Sequence, residues 1–142
     1  MANCVFCDIL AGKRPASVVL RDDLCWAFLD IRPVNRGHVL VVPTAHAPGL
    51  ADLDAASGAH MFKVAQRVAG ALRGSGLRCE GVNLFLADGR VAGQEVFHVH
   101  LHVIPRYTGD GFGLRFGPRY GQQPPRTELD RIAGQIQDNL GS

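Results

Sequence analysis

The octapeptide HVHLHVIP, His98 to Pro105, alternates imidazole with apolar side chains. Side chains of a strand point to opposite faces in turn. A strand here places His98, His100 and His102 on one face and Val99, Leu101 and Val103 on the other. Neighbours on one face lie roughly 7 Å apart, so a small ligand cannot touch all three rings equally. The row suits a division of labour, with a central ring that reacts and flanking rings that orient or bind. Imidazole has an ordinary pKa of about 6.5, which leaves a neutral, nucleophilic form abundant at pH 7. Attack by such a nitrogen on phosphorus gives a phospho-histidine that water then cleaves. Alternating histidines on a strand also bind zinc, and the spacing alone leaves both chemistries open.

The rest of the chain reads as an α+β domain. A short helix is expected over residues 4–11, with Asn3 as N-cap. β-prone runs at Ser17–Leu20 and Leu24–Leu29 flank the hairpin signal Arg21-Asp22-Asp23. DIRPVNRG reads as a loop. His38–Val42 is a nearly continuous apolar strand ended by Pro43, a pattern of burial on both faces. Asp52 or Asp54 caps a long helix whose apolar positions are Met61, Val64, Ala65, Val68 and Leu72, closed by Gly74 or Gly76. Val82–Leu86 is a strand, Asp88 to Gln94 a loop, and Val96–Ile104 the histidine strand. Residues 107–126 are irregular. Glu128–Leu140 reads as a final amphipathic helix with the stripe Leu129, Ile132, Ala133, Ile136 and Leu140. About five strands in a mostly antiparallel sheet, with helices against it, are expected.

The chain has 142 residues, 46% hydrophobic and 20% charged, which fits one domain with a core of its own. A net charge of +2 gives little reason to expect nucleic acid as partner. No apolar run approaches the roughly 20 residues that span a bilayer. The N-terminus shows no secretory pattern, so the expected location is cytoplasmic. The four cysteines then read as thiols or metal ligands. Cys25 and Cys79 lack partners by spacing and read as buried small apolar groups. His60, in the long helix, reads as unrelated to catalysis.

Upstream of the histidines stands AGQEVF. Gly93 permits close approach of backbone to a ligand, and Gln94 offers an amide donor. The run DGRVAGQEVFHVHLHVIPRY, together with CVFCDILAGK and FLDIRPVNRGHVLVVPTAH, resembles the histidine triad (HIT) family of nucleotide hydrolases and transferases. The resemblance covers about residues 4–110. It implies one HIT domain over residues 1–142, with residues 107–142 as a C-terminal extension.

By that resemblance His100 is the nucleophile toward the α-phosphorus of a purine nucleotide derivative, through a covalent nucleotidyl-histidine. His102 and His38 contact the phosphate and support its charge, and His98 completes the triad. Gly93 and Gln94 bind phosphate oxygens. Asp30 accepts the ribose hydroxyls, as an ionised acid can. Phe6, Ile9, Phe28 and Ile31 form an apolar slot for the base. Glu95 stands where the phosphoramidase branch has a serine that helps protonate the leaving group. A buried acid could do the same, and a surface acid could not. Ala87 stands where relatives often carry Asn or Gln, a contact that Asp88 or Asn83 would have to replace. The reactions implied are those of a nucleotide phosphoramidase or of a dinucleoside polyphosphate hydrolase. A nucleotide-binding regulator of low turnover is a further reading.

The resemblance also implies structural zinc. Cys4 and Cys7 form a C-x-x-C, and some bacterial triad proteins complete the ligand set with the positions matching His46 and His98. His98 would then face metal while His100 faces phosphorus. Arg106, Arg115, Arg119 and Arg126 lie in the irregular tail. Triad proteins are typically homodimers whose C-terminal segment reaches the partner's site, and that use is expected here.

Overall fold

The computed structural model describes residues 3–141. In it the apolar run before Pro43 becomes the middle of a sheet, as burial on both faces requires. The elements in chain order are α1 (Val5–Leu10), β1 (Val18–Arg21), β2 (Cys25–Leu29), β3 (Val39–Pro43), α2 (Ala55–Arg73), β4 (Gly81–Phe85), β5 (Leu101–Arg106) and α3 (Arg126–Asp138). Two short 3₁₀ turns, Leu50–Asp52 and Arg90–Ala92, sit in the connections. The strand order is β1-β2-β3-β5-β4, and all four pairings are antiparallel. The expected α+β class with a five-stranded sheet is therefore the observed one.

Each face of the sheet has its own core. On one face α2 lays Met61, Val64, Ala65, Val68 and Leu72 over Cys25, Ala27, Val39, Val41, Val99 and Val103. Burying a large apolar side chain of this kind contributes about 1.5–3 kcal/mol, so the i, i+3, i+4 stripe fixes which side of α2 meets the sheet. Asp54 is the cap, its carboxylate accepting the N–H of Ser57 at 2.9 Å. On the other face α1 covers Phe28, Leu40 and Val42 with Phe6 and Cys4. Alternation along β3 divides these two cores, with Val39 and Val41 on one and Leu40 and Val42 on the other.

Residues up to Gly111 form one compact unit and those from Phe112 a second. In the second, Phe116 and Tyr120 stack at 3.9 Å between ring centroids. There α3 leaves Leu129, Ile132 and Ile136 exposed, as is Leu140 just past its end.

The structure corrects several boundaries. Cys4, not Asn3, caps α1, its sulfur accepting the Cys7 N–H at 3.4 Å. The final helix starts at Arg126. The histidine strand is shorter than the expected Val96–Ile104: it joins the ladder only at Leu101 and runs to Arg106. His98 and His100 lie just before it, because Val99 hydrogen-bonds to the Ala47 carbonyl instead of continuing the ladder.

Candidate functional site

The face separation survives this irregularity. Val99 and Val103 enter the core under α2, while the His98 and His100 rings turn toward Phe6 on α1. His98 is fully buried, and His38 and His100 are nearly so. The ring centroids of His100 and His102 lie 4.9 Å apart, and those of His38 and His102 5.1 Å apart.

The hydrogen-bond partners fix the protonated nitrogens. His100 Nδ1 lies 2.8 Å from the His98 carbonyl. A carbonyl only accepts, so Nδ1 carries the proton and Nε2 keeps its lone pair. The Val34 N–H donates to His38 Nδ1 at 3.0 Å, so His38 carries its proton on Nε2. That nitrogen faces His102 Nδ1 at 2.9 Å and an Asp30 oxygen at 3.6 Å. His102 therefore accepts at Nδ1 and presents an N–H at Nε2. Burial lowers the proton affinity of His100, only partly opposed by its own bond to the His98 carbonyl and by Asp30 and Glu95. Burial lowers that of His38, against the pull of Asp30. His102 is pushed down to about 4, first by burial and then by its neighbours His100 and His38. The cluster is built to hold neutral rings.

Backbone shape supports these positions. Gly37, directly before His38, has φ +99, and a Cβ there would come 2.9 Å from Leu77 Cδ1. Gly93 also adopts a left-handed φ, +99, with nothing within 4 Å of where a Cβ would point.

The remaining expected residues occupy different surroundings. Phe6 and Phe28 are buried, edge to face at 5.7 Å. Ile9 is half-buried beside them, and Ile31 is 92% exposed. Asp30 accepts the Arg32 N–H at 2.8 Å. The Gln94 amide is fully engaged with backbone: Oε1 accepts from Gly89 N–H at 2.8 Å, and Nε2 donates to the carbonyls of Pro48 at 2.7 Å and Val96 at 3.1 Å. Glu95 is exposed and pairs with exposed Arg32 at 3.4 Å. Ala87 is buried. Asp88 accepts from Leu50 N–H, and Asn83 accepts from Arg106. His60 lies apart from the triad and pairs with Asp22 at 2.7 Å.

A second cluster joins Cys4, Cys7, His46 and His98, each offering one ligand atom, all within 4.8 Å of one another. His98 Nδ1 lies 3.4 Å from Cys4 Sγ, 3.6 Å from Cys7 Sγ and 3.2 Å from His46 Nδ1, and Cys7 Sγ lies 3.3 Å from His46 Nδ1. Tetrahedral zinc, with bonds of about 2.3 Å to sulfur and 2.0–2.1 Å to nitrogen, implies ligand separations of about 3.3–3.8 Å. His98 Nε2 donates to the Pro43 carbonyl at 2.8 Å, which frees Nδ1 as a ligand and fixes the ring as outer partners of metal ligands do. The four residues fit a zinc ion.

Sequence reasoning passed over the carbonyls of Pro43 and His98 and the N–H of Val34. Backbone groups carry no residue-type signal. It also passed over a cavity of about 140 Å³ lined by Ile9, Gly12, Arg14, Ala16, Val18, Arg21 and Trp26.

A family model described as "HIT domain" matches residues 11–109. A solved HIT family protein from Bacillus anthracis superposes with a TM-score of 0.90 at 36% identity, covering 99% of each chain. A Zn-bound histidine triad family protein from Mycobacterium smegmatis superposes with a TM-score of 0.75 at 40% identity, covering 97% of this chain and 98% of that one. An adenylylsulfatase of Arabidopsis thaliana, HINT3, is 35% identical over 109 residues, 76% of this chain and 54% of that protein.

Proposed function

Because the chain belongs to the HIT domain family, we propose that it is a nucleotidyl hydrolase acting at the α-phosphate of a purine nucleoside monophosphate derivative. The observation that carries this reading is the His100 Nδ1–His98 carbonyl bond at 2.8 Å, which leaves Nε2 unprotonated. The Nε2 lone pair attacks phosphorus, and the bond from phosphorus to the leaving group breaks with its electron pair. His100 then carries the nucleotidyl group on Nε2 and positive charge on the ring, which the His98 carbonyl supports. Water attacks the same phosphorus, the Nε2–P bond breaks, and the monophosphate leaves while water's proton passes to solvent. His102, with its proton on Nε2, donates to the phosphate oxygens. His38 holds that tautomer, and Asp30 lies beside it for the ribose hydroxyls.

The leaving group is a phosphoramidate amine or a polyphosphate. The position of Glu95 favours a second reading within this chemistry. It is exposed and paired with Arg32, which gives an amine no shielded proton donor, whereas a phosphate departs without one. The adenylylsulfatase relative supports attack at a nucleotide anhydride.

Cys4, Cys7, His46 and His98 would hold zinc, which when bound ties α1 to the segment that carries the nucleophile. A homodimer belongs to the same reading, supported by the exposed apolar stripe of α3.

The test is His100→Ala, assayed with adenosine phosphoramidate and diadenosine polyphosphate, alongside acid quench of labelled substrate. Loss of turnover on the order of 10⁴-fold and of the covalent adduct is expected. Turnover near the parent's rules the mechanism out.

A further inference from the structure

Strand β2 grades the surface beside the triad. Phe28 and Trp26 share the face turned toward α1, two positions apart, and Asp30 follows the strand on the same alternation. Successive same-face positions are roughly 7 Å apart. A nucleoside whose ribose meets Asp30 and whose base is directed along β2 brings the far edge of a purine toward Trp26.

That far end is a built cavity. The space of about 140 Å³ shares Ile9 with the base slot and includes Val18, the cross-strand partner of Phe28. Ala16, Val18 and Trp26 make it apolar, and Arg14 and Arg21 stand in its wall. The Arg21 guanidinium lies 4.5 Å from the centroid of the Trp26 ring. No carboxylate among the described residues pairs with Arg21; its neighbour Asp22 is taken by His60. Arg14 makes one exposed contact of 3.4 Å with Asp8. The indole face and the cavity wall thus share the Arg21 guanidinium.

A guanidinium is donor only. It matches O6 and N7 of a 6-oxopurine, which both accept, and meets a donor in the 6-amino group of adenine. We propose that Arg21, stacked on Trp26 and assisted by Arg14, forms a base-edge subsite that selects 6-oxopurine over 6-aminopurine nucleotides. The selection rests on the nucleotide reading of the triad site.

Trp26 is the chain's one tryptophan, so its fluorescence reports the subsite directly. Titrating the full-length protein with guanosine, inosine and adenosine monophosphates should quench it. Guanosine and inosine monophosphates should bind at least about fivefold tighter than adenosine monophosphate. Arg21→Ala should bring the three affinities within about twofold. Arg21→Lys, which keeps the charge and loses the planar fork, should do the same. Equal affinities in the parent protein, or a preference that survives both substitutions, overturns the subsite and leaves the nucleotide reading standing. Absence of binding by all three nucleotides, checked also by calorimetry, overturns that reading and the subsite with it.

Discussion

The carbonyl of His98 accepts the Nδ1–H of His100 at 2.8 Å, while the His98 ring points its own Nδ1 at Cys4, Cys7 and His46. One residue thus belongs to two sites: its side chain to the thiol cluster, its backbone to the reactive imidazole. Whatever fixes His98 also fixes which nitrogen of His100 is free.

This coupling gives zinc an expected effect on catalysis without a chemical role. Chelation, or Cys7→Ser, should release one zinc per chain and lower the thermal midpoint by at least about 5 °C, since a ligand that binds only the folded state stabilises it. Turnover should fall far less than in His100→Ala. Metal analysis beside calorimetry checks this. A chain that carries no zinc as purified and keeps its midpoint in chelator would contradict it.

Acid should act on activity and stability in the same direction. Burial holds the proton affinity of His100 below the ordinary histidine value, so kcat/KM should keep its plateau to lower pH than an ordinary imidazole of pKa about 6.5 would allow. His102 sits at about 4 when folded against 6.5 ordinarily. Between these values the unfolded chain binds more protons. The stability from keeping the ring neutral is therefore present above about pH 6.5, lost as pH falls toward 4, and level below that. Urea denaturation at pH 7, 5.5 and 4 measures it. A His102→Asn variant should show a shallower decline.

Gln94 should behave as a residue that positions its loop. Its amide joins Gly89, Pro48 and Val96, and Gln94→Ala would leave these partly exposed backbone groups without that partner, at about 1 kcal/mol or less each. Urea unfolding should show that loss, with kcat and KM both altered through the displaced Gly89–Val96 loop. A variant that unfolds like the parent while KM alone rises would instead give its side chain a direct role at the phosphate.

Local periodicity told most of the architecture. The stripe Met61–Leu72 defined α2 and its buried side, and the apolar run before Pro43 marked the central strand. The alternation from His98 to Val103 assigned valines and histidines to opposite faces, and the spaced motifs named the family. These are properties of neighbouring residues, so they are present in the chain before it folds.

What tertiary structure decided was partnership. The Cys4, Cys7, His46 and His98 ligand atoms converge only when α1, the loop after β3 and the approach to β5 are packed together. Residue types do not reveal that Gln94 spends its amide on backbone, that Val99 leaves the ladder for Ala47, or that Arg21 lies on Trp26 beside a cavity. Each depends on where distant backbone carbonyls and rings come to rest. Strand register and helix docking fix those positions, and they are set by burial summed over the whole core.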